Sequence, residues 1–226
     1  MMYLMQRGFP ALVLLGALLL RIHDPVFLSD VRLRIFDTFQ RIHPREYVDP
    51  AGTPVRVIDI DNASLQRHGQ WPWPRSLTAE LIDRLSGLGA QVIALDIVFP
   101  EHDRTGPKAA TAGWGLTDDD PLTRSILDRV ADPDEVLAGV IKSAPVVLGL
   151  ILTDDAQADP VPKPKKGIAV LGAGKDPRSF LAKFPGRAVS NLPPLQAAAK
   201  GQGIINVQTE RDAVVRRLPM LLNGGG

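Results

Sequence analysis

The chain has no cysteine among its 226 residues. Disulfides, thiol catalysis and thiolate metal sites are excluded on that ground, though the compartment is not fixed by it. Histidine is scarce: His23, His43, His68 and His102 are the only four. No two of them share a helix at metal-ligand spacing, so neither a zinc site nor any cofactor is expected. Charge of one sign is also missing. Lys and Arg number 26 against 25 Asp and Glu, a net charge of +1. That balance leaves no basic footprint for nucleic acid and no acidic tail. There is no glycine-rich phosphate loop; Gly172-Ala173-Gly174 lacks a third glycine at the right place. No serine elbow accompanies the histidines, and no internal repeat is visible.

Proline, by contrast, is plentiful at 20 residues, above the usual share of about 5%. Most prolines lie outside the apolar runs, which predicts long ordered connections. Hydrophobic residues make up 45% and charged residues 23%, enough for one large α/β domain or two small ones.

An unbroken apolar run covers residues 8–20, between Arg7 and Arg21. Thirteen helical residues span about 20 Å against roughly 30 Å of hydrocarbon. Extension back through residues 1–5 approaches a full crossing, with Arg7 snorkelling. A cleaved signal peptide needs a small-x-small site after the run, where the chain has Arg21-Ile22-His23-Asp24. The expectation is therefore an uncleaved anchor over residues 1–22. A buried core helix is the alternative for so short a run. The flanking charges do not fix the orientation, but long domains translocate largely regardless of charge.

Residues 28–42 read as a helix with Val31, Ile35, Phe39 and Ile42 on one stripe, Ser29 or Asp30 as cap, and Pro44 as stop. Residues 23–53 form a juxtamembrane helix and linker in this reading. Residues 54–226 form the soluble domain. Within it, residues 55–60 and 92–99 read as strands and residues 76–88 as the helix between them. Together they predict a right-handed βαβ unit with parallel strands. Ser76 is the expected cap, Leu77, Leu81, Ile82, Leu85 and Leu88 the buried stripe, and Gly87 or Gly89 the end. A loop is predicted from 100 to 119, then helices at 120–130, opened by Asp120-Pro121, and at 133–142, opened by Pro133. A third strand is expected at 146–152, and an exposed excursion at 154–174. A short strand near Ala188 and a helix over 193–199 follow. Strands at 203–207 and 214–222 are expected to close as an antiparallel hairpin. The fold class is thus α/β, a mostly parallel sheet with flanking helices, a C-terminal hairpin and a preceding transmembrane helix.

Three sets of residues could carry chemistry. Asp59 and Asp61, two apart, share a face, and Asp96 lies late in the neighbouring strand, with Glu101 beyond. Acids at the carboxyl ends of parallel strands could hold Mg²⁺ or act as acid and base. The structural alternative, which is preferred, is that they cap helices or pair with Arg75. In Trp71-Pro72-Trp73-Pro74-Arg75 each proline holds the preceding residue extended. Arg75 at a helix start is unfavourable without a nearby anion, so a partner is expected in Asp59, Asp61, Asp96 or an anionic ligand. The segment is either an aromatic–cationic ligand cleft or a rigid packing plug. The third set is Asn206, Asp212, Arg216 and Arg217, where surface ion pairs are the preferred explanation.

The order of these pieces resembles the second type of CHASE domain. The resemblance is carried by Arg34-Ile35-Phe36-Asp37 and Val57-Ile58-Asp59-Ile60-Asp61. It continues in Gly69-Gln70-Trp71-Pro72-Trp73-Pro74-Arg75, Asp96-Ile97-Val98-Phe99, Asn191-Leu192-Pro193, Asn206, and Asp212 with Val215-Arg216-Arg217. It implies an extracytoplasmic sensor of a bacterial cyclase or kinase, held by one N-terminal helix and followed by further membrane helices. It also implies that a chain ending at Gly224-Gly225-Gly226 is truncated and that the domain itself is not an enzyme. Ala213 stands where the family usually has glycine. The ligand-binding residues expected are Asp59, Asp61, Trp71, Trp73, Arg75, Asp96, Asn206 and Arg216. The expected partners are an unknown small-molecule or envelope ligand, the membrane and a second copy in a homodimer, with no nucleic acid. A metal-assisted hydrolase using Asp59, Asp61 and Asp96, or an envelope protein- or glycan-binding module, are the alternatives.

Overall fold

The computed structural model describes residues 2–44, 55–117, 119–165, 176–184, 186–207 and 209–223. The expected linker at 45–53, the 166–174 part of the excursion with Gly172-Ala173-Gly174, and the C-terminal glycines lie outside the described residues. The chain divides into two units, Met1–Asp59 and Ile60–Gly226.

The first unit holds α1 (Met2–His23) and α2 (Val26–Ile42). Pro25 separates them and presets the φ of its own position at −60°. Asp24 before it takes φ +35°, in the left-handed region that Asp tolerates better than most residues. The Leu12–His23 stretch and α2 meet at 82°. Nη2 of Arg32 donates to both Asp24 carboxylate oxygens at 2.8 Å, bracing the bend. The second helix starts two residues before the expected position, and no side chain caps it, neither Ser29 nor Asp30. It stops as predicted, at His43 and Pro44. Among the described residues no single helix is long and apolar enough to cross a membrane. Leu12–His23 and α2 meet the requirement of length and composition only together, as a bent pair.

The expected strand at 55–60 is absent: the segment makes no strand ladder, and Val57 and Ile58 are exposed. Its β-branched composition favours extended backbone, but a strand needs a partner. The strand at 93–95 pairs instead with 146–148. The βαβ unit therefore begins one element later than the sequence suggests. In the second unit α3 (Asn62–His68) and α4 (Arg75–Gly87) precede β1 (Ile93–Leu95). Ala79 and Ile82 of α4 are buried, whereas Leu77, Leu81 and Leu85 are half-buried and Leu88 is exposed. Gly89, at φ +88°, ends α4: its N–H donates to Ser86 O at 3.0 Å, and Ala90 N–H to Leu85 O at 3.1 Å. These two bonds satisfy orphan carbonyls of the last turn in the geometry that glycine permits.

The predicted 100–119 loop contains a helix, α5 (Pro107–Gly113), opened by Pro107. Then α6 (Pro121–Leu127) and α7 (Pro133–Ser143) begin as expected. Asp120 accepts from Leu122 N–H at 2.8 Å and Asp132 from Asp134 N–H at 2.9 Å, each with proline following. The strands β2 (Val146–Thr153), β3 (Asp159–Pro160) and β4 (Arg187–Val189), the helix α8 (Pro193–Ala198) and β5 (Gly201–Ile204) complete the unit.

The sheet is mixed. Parallel pairs join β2 to β1 and to β5, while β4 is antiparallel to both β2 and β3. The core joins Ile82 of α4, Leu137 and Ile141 of α7 and Leu195 of α8 to Ile93, Val146 and Leu148 of the sheet. Each fully buried aliphatic side chain there contributes about 1.5–3 kcal/mol relative to exposure. A second cluster, Leu150, Leu152 and Ala188, continues along β2.

Two asparagines complete the ladders of β2. Asn206 Oδ1 accepts from Leu152 N–H at 2.6 Å and its Nδ2 donates to Leu152 O at 2.9 Å, extending the β5 edge. Asn191 Nδ2 donates to Gly149 O at 2.7 Å, and its Oδ1 accepts from Phe99 N–H at 2.8 Å. That side chain stands where β1 gives way to β4 along β2. Gly149 itself admits no side chain: a Cβ would lie 2.9 Å from Leu95 O and 3.1 Å from Ile97 O.

The C-terminal hairpin is not formed. Residues 214–222 have no strand ladder, and Leu218 and Met220 are exposed. The polar connection folds instead into a tight turn, with Glu210 N–H donating to Val214 O at 2.9 Å and Ala213 N–H to Glu210 O at 3.0 Å. Ala213 occupies φ +61° in that turn. This is the region that costs an L-residue about 1–2 kcal/mol and that glycine enters freely.

Candidate ligand site

The site is built around the start of α4. Arg75 is its first residue, so an unsatisfied backbone N–H and a cationic side chain coincide at the positive end of a helix. No local side chain caps this end. The cap comes from elsewhere in the chain: Asp103 Oδ2 accepts from Arg75 N–H at 2.7 Å. Oδ1 of the same carboxylate accepts from the N–H and hydroxyl of Thr105, at 2.8 and 2.9 Å. Burial works to raise the Asp103 pKa, but these bonds to Arg75 and Thr105 outweigh it and hold the carboxyl below its ordinary value.

The Arg75 side chain is buried and held from several sides. Its Nε donates to Asp134 Oδ1 at 3.2 Å, its Nη2 donates to Glu101 O at 2.8 Å, and its guanidinium carbon lies 4.4 Å above the centre of the Phe99 ring. Asp134 sits in the first turn of α7, where the helix dipole favours a negative charge. Its Oδ2 accepts from Asp103 N–H at 3.1 Å and lies 2.9 Å from Nδ1 of His102. Two helix N-termini and two buried carboxylates thus converge on one arginine. An anion for Arg75 was expected, but Asp59, Asp61 and Asp96 were the wrong candidates. The true partners lie 28 and 59 residues away in the chain, beyond any local pattern.

The two rings of the tryptophan segment differ in burial. Trp73 is buried, and its Nε1 donates to Gly69 O at 2.8 Å. His68 meets it edge-on at 5.3 Å. Trp71 contacts Trp73 edge-to-face at 5.8 Å and remains 38% exposed. The Trp71–Pro72 peptide bond is cis.

A cavity of about 940 Å³ opens beside this latch. Trp71, Trp73, Arg75 and Asp96 all line it, with Ile97, Ile151, Val189 and Ile205 as an apolar wall and Glu101, His102 and Arg104 at the polar side. Four of the eight expected site residues are therefore brought together. Asp96 and Arg104 are exposed at the cavity. The other four residues have structural occupations or lie elsewhere. Asp61 caps α3, its Oδ1 accepting from Ser64 N–H at 2.8 Å and Ser64 Oγ at 2.7 Å, which lowers its pKa. Asn206 holds the backbone of Leu152. Arg216 grips Asp212 through two bonds of 2.8 and 2.6 Å, lowering the Asp212 pKa to about 2. Asp59 ends the first unit in the unpaired 55–60 segment. Among the described residues no three His, Asp or Glu side chains stand close enough together to hold a metal ion.

Asp103 and Asp134 were missed from sequence. The signal for Asp103 was the local Asp103-Arg104-Thr105 spacing of a side-chain turn. Asp134 was concealed in Asp132-Pro133-Asp134, where capping explains one acid and leaves the other unremarked.

No curated protein and no solved structure matches this chain. The profile of the CHASE2 domain matches residues 11–225, nearly the whole chain. The chain accordingly belongs to the CHASE2 domain family, a family of extracytoplasmic sensory domains.

Proposed function

We propose that this chain is the ligand-sensing part of a membrane-bound bacterial signalling protein, with the cue bound in the cavity beside Arg75. The observation that carries this reading is the cavity itself. Its volume of about 940 Å³ lies within the 300–1,000 Å³ range usual for small-molecule sites. One wall is apolar, with a half-exposed aromatic ring, and the opposite side gathers Arg75, Asp96, Glu101, His102 and Arg104, polar groups that could orient a guest. One wall is held by the buried contacts of Arg75 with Asp103 and Asp134, which favours a preformed cleft over an induced one.

In this reading the apolar run in α1 anchors the chain in the bacterial inner membrane, with the second unit on the extracytoplasmic side. The domain is not catalytic; a cyclase or kinase on the cytoplasmic side would supply the output. Occupancy of the cavity would shift the balance between two packings of the membrane-proximal helices, and a homodimer would carry that shift across. The Asp59–Asp61–Asp96 hydrolase gains no support from the geometry, because the Asp61 carboxylate is committed to Ser64.

The test is a thermal-shift screen of small envelope metabolites, ions and glycan fragments against the whole protein in detergent, repeated with Trp71→Ala. A hit whose stabilisation is at least about tenfold weaker in affinity, about 1.4 kcal/mol, in that variant would support the site. A hit unaffected by Trp71→Ala and by Asp96→Asn would place binding elsewhere.

A further inference from the structure

The second helix carries an exposed apolar face whose charged borders identify what covers it. At 3.6 residues per turn, Phe27, Val31, Ile35, Phe39 and Ile42 fall within an arc of about 120°, which also takes in Leu28 and Thr38. All five are exposed, and α2 has no buried residue. Leu28, Leu33 and Phe36, around one side of the helix, are half-buried. On the same wheel Arg34 and Arg41 border the exposed arc on one side, with Asp30 and Asp37 next beyond them, and Arg32, paired with Asp24, borders it on the other; Val26 and Leu33 stand opposite. An apolar face with cations at its margins and acids set farther from it is a distribution that seats a helix at a lipid surface. The cationic stems can cover the acyl boundary while their heads reach anionic headgroups.

Two further facts favour lipid over other occupants. Five charged residues among the 17 of α2 make a continued crossing costly. The 82° bend, braced by the Asp24–Arg32 pair, turns it across the direction of the apolar helix before it. A second copy seated on the same face would bring arginine margins together, a repulsive seam.

We infer that α2 lies in the plane of the membrane, its Phe27–Ile42 face in the headgroup–acyl boundary of an anionic bilayer. This rests on the reading of α1 as an anchor. The helix is then not a rigid stalk leading away from the bilayer but a float on its surface.

The absence of cysteine makes the test direct. Single variants Leu14→Cys, Asp30→Cys, Ile35→Cys and Phe39→Cys of the whole chain are spin-labelled. They are reconstituted in phosphatidylcholine vesicles with and without phosphatidylglycerol, and accessibility to oxygen and to a water-soluble nickel complex is measured. The expected result is oxygen-dominated accessibility at 35 and 39, nickel-dominated accessibility at 30, and a deep position for 14. Adding phosphatidylglycerol should shift 35 and 39 deeper, and Arg34→Glu with Arg41→Glu should abolish that shift. A deep label at 14 with nickel-dominated labels at 35 and 39 would overturn the inference while leaving the anchor intact. Labels at 35 and 39 shielded from both reagents and broadened by one another would assign the face to a second copy, and overturn it too. A nickel-accessible label at 14 would remove the anchor reading and this inference with it.

Discussion

Arg75 and Asp134, 59 residues apart in the chain, meet through an Nε–Oδ1 bond of 3.2 Å with both side chains less than a tenth exposed. Breaking such a pair leaves one charge buried without its counterpart, at a cost of about 3–5 kcal/mol. Asp134→Asn and Arg75→Met should each destabilise the protein by that order in urea unfolding. The double variant should be less destabilised than the sum of the two singles, because it strands no charge. Simple additivity would mean that the two side chains do not act on one another.

The three depressed carboxyls set a direction for the pH dependence. Asp61, Asp103 and Asp212 all have folded pKa values below the ordinary 3.8, Asp212 at about 2. Their contribution to stability is complete above the ordinary value and is lost as pH falls through the folded one. Urea midpoints should therefore be level near neutrality and fall between about pH 4 and pH 2. The fall should be shallower in Asp212→Asn. An identical acid limb in that variant would show that the Arg216 contact contributes nothing to folding.

Gly149 should not tolerate alanine. A Cβ there would meet backbone oxygens of Leu95 and Ile97 and the Ile205 side chain. Overpacking of this kind costs about 1–3 kcal/mol. Gly201→Ala, whose Cβ would meet nothing nearer than 3.7 Å, should cost less and is the control. Equal losses at both positions would refute the close-approach explanation.

Ala213 offers the opposite change. Its φ of +61° favours glycine, and the strain removed exceeds the entropy that glycine adds to the unfolded chain. Ala213→Gly should raise stability by up to about 1 kcal/mol, read as a higher urea midpoint at unchanged slope. A lower midpoint would show that the turn is not held in this conformation in solution.

What could be read from sequence was whatever is decided within a few residues. Asp120-Pro121 and Asp132-Pro133 fix helix starts by a side-chain bond and a preset φ, so α6 and α7 were found where expected. The apolar run of β2 and the proline-led α8 were equally local. Pairing partners were not legible. Residues 55–60 have the composition of a strand, yet β1 takes its neighbour from 146–148, and 214–222 remain unpaired. The alanine-rich α5 was hidden by the glycine and proline around it. At the site, the electrostatics of a helix start required an anion beside Arg75, but only the fold could choose Asp103 and Asp134 over nearer acids. Trp71 and Trp73 line one cavity, while their unequal burial depends on packing that the proline repeat does not encode.

The capping of α4 by Asp103 has a mechanical consequence. The carboxylate that stops the first turn of that helix from fraying belongs to the same short loop that walls the cavity. Anything that draws the loop inward or pushes it aside also loads or unloads the end of α4, and through Asp134 the start of α7. A displacement of the loop would reach both helix starts at once, since the loop is their common clasp.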